Sequence, residues 1–142
     1  MILEEWIPGT PRPQGNPQQI TKNYHRYPST TVEHRNEVIR FLRVALGSRG
    51  AEPFDCAVKL SAKFYFQRPK AHYGTGRNSE VLKLSAPVEH IQTPDTDKLL
   101  RLLCDALTIA GVIVDDRLIV AVVGRKCWAD GQPGTLLRVT TL

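Results

Sequence analysis

The stretch Asp95-Thr-Asp-Lys-Leu-Leu-Arg-Leu-Leu-Cys-Asp-Ala-Leu-Thr-Ile-Ala-Gly-Val-Ile-Val-Asp-Asp116 decides how the chain is read. Leu99, Leu102, Leu103, Ala106, Leu107 and Ala110 recur at helical spacing and make one apolar stripe. Asp97, Arg101 and Asp105 fall at i, i+4 and i+8 on a different face. Pro94 closes the preceding loop, and Gly111 stops the helix. Val112-Ile113-Val114 then runs into Asp115-Asp116, and Leu118–Val123 reads as a strand. A helix is thus entered and left through aspartate pairs.

Residues 2–7 read as an edge strand that stops at Pro8-Gly9. Pro11, Pro13 and Pro17 predict irregular chain as far as about residue 28. That polar segment reads equally as a solvated loop or as an arm laid along a nucleic-acid backbone. Thr30-x-x-Glu33 has capping-box spacing and predicts a helix start. Val38, Ile39, Phe41, Leu42, Ala45 and Leu46 carry the helix to an expected stop at Gly47. From Val58 to Phe66 apolar and polar residues alternate, which predicts a strand with one wet side in an antiparallel or edge position. A last strand is expected from about Leu136 to Thr140, after the turn residues 130–134. The order β-α-β-α-β-β implies an α+β fold, with a mixed sheet and two main helices, as a single domain over residues 1–142.

The 142 residues carry 19 Lys+Arg against 14 Asp+Glu, and the sequence pI is about 9.3. Residues 95–116 reverse that balance, with five acids and two bases, leaving 17 bases and 9 acids elsewhere. The basic excess favours an anionic partner. Arg35 and Arg40 on the first helix read as a solvated face or as phosphate contacts. Arg68, Lys70 and Arg77 lie in a glycine-containing loop with Tyr73, which fits contacts to phosphates and bases or simply a flexible surface loop. No apolar run approaches the roughly 20 residues of a membrane helix. The first residues, with Glu4 and Glu5, do not read as a secretory signal. Three widely spaced cysteines fit reduced thiols and a cytoplasmic setting.

Carboxylates brought together repel unless a cation sits between them. Asp95, Asp97 and one of Asp115 and Asp116 could converge on one or two Mg²⁺ or Mn²⁺ ions, which act on phosphodiesters. Counted from Asp95, an EF-hand fails, because Leu99, Leu100 and Ala106 occupy positions that need an acid or Asn, a Gly and a Glu. The chain has no G-x-x-x-x-G-K, G-x-S-x-G or H-E-x-x-H. His90, alone in its loop, is more readily a structural residue than a base or metal ligand.

The whole stretch resembles the RusA family of Holliday-junction resolvases, phage-type, in its D-x-D, D-A-L, glycine and D-D spacing. The Ile7-Pro8-Gly9-Thr10-Pro11 opening and Arg68-Pro69-Lys70 are similar too. The resemblance implies a homodimeric, Mg²⁺-dependent endonuclease of bacterial or phage-infected cells that nicks two opposing strands of a four-way DNA junction. By position it puts the essential metal carboxylates on Asp95, Asp97 and Asp116, with Asp115 secondary. The family lysine falls on Arg101 and the family Asn on Lys98. Lys98 or Lys126 could supply the missing ammonium. The alternative is a non-cleaving branched-DNA-binding protein on the same fold.

Overall fold

The computed structural model describes residues 2–50 and 52–142. Its elements run β1 (Ile2–Pro8), β2 (Gln18–Thr21), β3 (Tyr24–Arg26), α1 (Ser29–Arg49), β4 (Val58–Gln67), α2 (Thr96–Ile109), β5 (Ile119–Ala129) and β6 (Gly134–Thr141). The α+β order matches the expectation, with one addition. Within the proline-rich segment β2 and β3 pair as a small antiparallel hairpin. No proline lies between Pro17 and Pro28, so the residues between keep the N–H donors that a ladder needs.

The main sheet has the order β1-β6-β4-β5. β1–β6 and β6–β4 are antiparallel, whereas β4–β5 is parallel, with α2 in the crossover between them. β4 is therefore central, not at an edge. The wet side read from its alternation is nonetheless real: Val58, Leu60, Ala62, Phe64 and Phe66 are buried, while Lys59, Ser61, Lys63 and Tyr65 are not. Both helices cover the same face, so a central strand keeps one side in water.

The core lies between that face and the helices. Val38, Ile39 and Leu42 of α1 and Leu99, Leu102, Leu103 and Leu107 of α2 pack with Leu3 and Ile7 of β1 and Leu137 and Val139 of β6. Two boundaries of α1 differ from the sequence reading. The helix starts at Ser29 after Pro28, without a side-chain cap, so Thr30 already has helical geometry and cannot act as the N-cap. It also runs past Gly47 to Arg49. Gly50 takes the left-handed position at φ 58° instead, and Arg49 donates to the carbonyl of Ile2 at 2.8 Å. A glycine in an exposed helix costs only about 1 kcal/mol, which tertiary contacts offset.

Leu107 is fully buried and Val44 is 64% exposed. Leu107→Ala should lower unfolding free energy by about 2–5 kcal/mol in urea titration, with Val44→Ala within about 0.5 kcal/mol of wild type. A Leu107→Ala loss below about 1 kcal/mol would show that the leucine stripe is not the core.

Candidate functional site

The position of α2 sets the site. Its N-terminal turn lies on β5 where Gly124 has no side chain: a Cβ there would stand 2.7 Å from Leu100 Cδ1 and 3.0 Å from Thr96 Cγ2. That close approach lays the start of α2 across the middle of β5. Asp95 is the N-cap residue in extended conformation, but its side chain makes no cap bond. Its Oδ2 lies 3.5 Å from Lys98 Nζ, and both are solvent-accessible. Asp97, in the first turn, is exposed, at the end where the helix dipole favours negative charge. Asp95 and Lys98 help line a cleft with Thr10, Arg12, Phe66 and Pro94.

The second aspartate pair arrives elsewhere. Phe54 N donates to Val112 O at 2.8 Å, and Val114 N donates to Phe54 O at 3.1 Å, which leads the returning chain past the C-terminal half of α2. Asp115 Oδ1 accepts from Arg117 N at 2.9 Å, and Asp115 caps the short 3₁₀ turn Asp116–Leu118. Asp115 and Asp116 line a shallow depression with Asp105, Thr108 and Ile109. The Cys104 thiol registers this acidity: burial, then Asp105 and Asp116, push its pKa up to about 11. Asp105, not singled out from the sequence as a site residue, joins Asp115 and Asp116. It sits eight residues, about 12 Å of helix, beyond Asp97. Among the described residues no three His, Cys, Asp or Glu side chains gather closely enough to hold one metal ion. The chain therefore keeps Asp95 and Asp97 at one end of α2 and Asp116 near the other.

The helix face carrying Asp97, Arg101 and Asp105 is strapped by residues 13–16. Gln14, fully buried, donates through Nε2 to Asp105 Oδ2 and accepts from Arg35 NH1 at 3.1 Å. Its backbone N–H donates to Lys98 O at 3.0 Å. Arg101 NH1 donates to Asn16 Oδ1 at 3.2 Å. This part of the proline-rich segment thus lies on the protein's own helix.

Several basic residues are likewise engaged. Arg35 also sits 5.3 Å over the Tyr27 ring, and Arg40 pairs with Glu37 at 2.6 Å. Arg68 lies 5.4 Å over Trp128 and donates to Pro87 O at 2.7 Å. Lys126 Nζ donates to Gln92 O and Pro94 O, the segment that leads into Asp95. Lys70 and Arg77 stand exposed in 3₁₀ turns of the 67–92 loop. His90 anchors the return of that loop. Its ring lies between Phe66 and Trp128, at 4.6 and 4.3 Å, and burial lowers its pKa.

A family model described as Endodeoxyribonuclease RusA matches residues 8–140. The chain belongs to the RusA endodeoxyribonuclease family. A search of the curated proteins finds no match. Membership covers both aspartate pairs, the strap and the basic loop, and the RusA family acts on branched DNA junctions. No helix among the described residues is long and apolar enough to cross a membrane.

His34 and His90 both titrate below their ordinary 6.5, chiefly because burial disfavours the charged ring. The unfolded chain therefore binds protons first as pH falls. The contribution of these two histidines to stability is full above about pH 6.5 and is lost as pH falls below it. Melting temperature should fall between pH 7.5 and 5.5, and less steeply in His90→Phe. A flat or rising profile in the wild type would contradict this.

Proposed function

We propose that this chain is a metal-dependent, structure-selective endonuclease that resolves four-way DNA junctions by paired phosphodiester hydrolysis, working as a homodimer. The observation that carries the reading is the family match over residues 8–140, which includes every aspartate of both pairs. A two-fold dimer suits a junction with two equivalent strands, each subunit serving one.

Asp95, Asp97 and Asp116 would hold the ion, with Asp116 and its neighbour Asp115 having to close on the other two from the far end of α2. Their donors are carboxylate oxygens, the hard ligands that Mg²⁺ and Mn²⁺ take, and Mg²⁺ commonly needs only one or two carboxylates plus water and phosphate oxygens. A donor set that is incomplete in the free subunit is compatible with that habit. When bound, the ion would supply Lewis acidity toward the scissile phosphate and lower the pKa of a water that it holds.

The chain's other residues divide the remaining work. Lys98 neutralises Asp95 in the free protein and, released from it, can meet a phosphate oxygen. Arg101 offers a permanently charged guanidinium to the developing charge, without being able to hand over a proton. Lys126 braces the carbonyls leading into Asp95, so it positions that carboxylate and does not meet the phosphate. Lys70, Arg77 and Lys83 are exposed cations of the basic loop, without ion-pair partners among the described residues, for the junction arms. Arg35, Arg40 and Arg68 have partners within the chain, and would have to release them to contact DNA.

The separation of Asp116 from the other two carboxylates favours one rival, a protein on this fold that binds branched DNA without cutting it. Labelled four-way junction incubated with Mg²⁺ decides between them. The expected result is symmetric paired nicks, reduced on the order of 10²-fold or more in Asp97→Asn while junction binding persists. Binding without nicks at any divalent metal supports the rival. Junction affinity should also drop on the order of 10³-fold between roughly 50 and 200 mM salt if about six phosphates are contacted.

A further inference from the structure

The helices leave the far face of the main sheet open, and strand register fixes what stands there. Even positions of β1 and β6 and odd positions of β4 and β5 share that face: Glu4 lies opposite Arg138, Arg138 opposite Ser61, and Ser61 opposite Val123. One row along, Trp6, Leu136, Lys63 and Arg125 are aligned. Lys59 stands four residues before Lys63 on the central strand, about 13 Å away. The face therefore carries Lys59, Lys63, Arg125 and Arg138 against a single acid, Glu4.

The arginines are partly neutralised. Arg138 Nε is 3.7 Å from Glu4, and Arg125 is 3.2 Å from Glu89 at the rim. Among the described residues, neither Lys59 nor Lys63 has an ion-pair partner. Trp6, 42% exposed, stands at the edge strand with its ring 5.8 Å from that of Tyr65. Glu4, Lys63, Arg125 and Arg138 share one shallow depression.

Resting on the reading that the chain acts on DNA, we infer that this open face is a second nucleic-acid surface, for an unpaired DNA strand near the branch point. Two unneutralised ammoniums at the centre of a face call for phosphate. The centres of protein interfaces are depleted in lysine, and a second copy of the same face would set like charges against each other. An unpaired strand can follow a sheet and stack a base on an exposed aromatic ring. A duplex is a convex cylinder that meets a sheet only along a narrow line. The aspartates belong to the helix layer, so this surface holds DNA apart from the cleavage centre.

The test is fluorescence anisotropy of the full chain with labelled oligothymidine, duplex and four-way junction across a salt series. Lys59→Ala/Lys63→Ala is compared with wild type, and junction nicking and sedimentation are followed in parallel. The double variant should weaken single-strand binding and flatten its log–log salt slope by about 1.4, with duplex binding unchanged. Unchanged single-strand binding overturns the inference. An equal loss on duplex assigns the face to a duplex arm and overturns the single-strand reading, and a changed sedimentation coefficient without DNA assigns it to a second copy. Wild type that nicks junctions but ignores oligothymidine sinks this inference alone. Wild type that neither binds nor nicks junctions sinks the proposed function. Trp6→Leu, which removes the ring, should bind oligothymidine more weakly but retain the salt slope; a wild-type affinity argues against stacking.

Discussion

The burial of one leucine stripe on α2 is the constraint on which the molecule depends. Leu99, Leu102, Leu103 and Leu107 are each 2% exposed or less, held between α1 and one face of the sheet. Burying a leucine stabilises by roughly 1.5–3 kcal/mol relative to leaving it in water, so the helix has one favourable rotation about its axis. That rotation puts Asp97, Arg101 and Asp105 outward. It also sends the chain back past the C-terminal half of the helix into the parallel strand β5. The two aspartate pairs owe their placement to this packing.

Polar contacts then secure what packing leaves loose. Gln14, buried in the strap, ties Arg35 to Asp105. Lys126 holds the carbonyls ahead of Asp95, and Arg68 and His90 brace the two ends of the basic loop against Trp128. A buried polar group without a partner is costly, on the order of 1–3 kcal/mol, so such links specify where loops dock as well as adding stability. They also divide the basic residues. Cations that serve the fold already have partners, whereas exposed Lys70, Arg77 and Lys63 and half-buried Lys59, without ion pairs among the described residues, are ready to meet phosphate.

Much of this was legible in the residues themselves. The stripe of α2, the stop at Gly111 and the alternation of β4 follow from periods of 3.6 and 2, which are local properties. The spacing of the aspartates, read with the helix between them, carried the resemblance to the RusA family. The boundaries of α1 were less legible: Pro28, the residue just before the helix, takes the N-cap position in place of Thr30, and Arg49 extends the far end through contacts with β1 that no local pattern records. The hairpin inside the proline-rich segment escaped notice because prolines dominate its first half and not its second.

By itself the sequence determined the main strands and both helices, the acidic insert in a basic chain, and the family. Tertiary structure alone decided that β4 is central, that both helices share one face, and that Asp105 accompanies Asp116 while Asp95 stands with Lys98. Strand order and side-chain meetings arise from packing between segments distant in the chain. Local periodicity carries no record of which distant segment arrives, or at what height along a helix it does so.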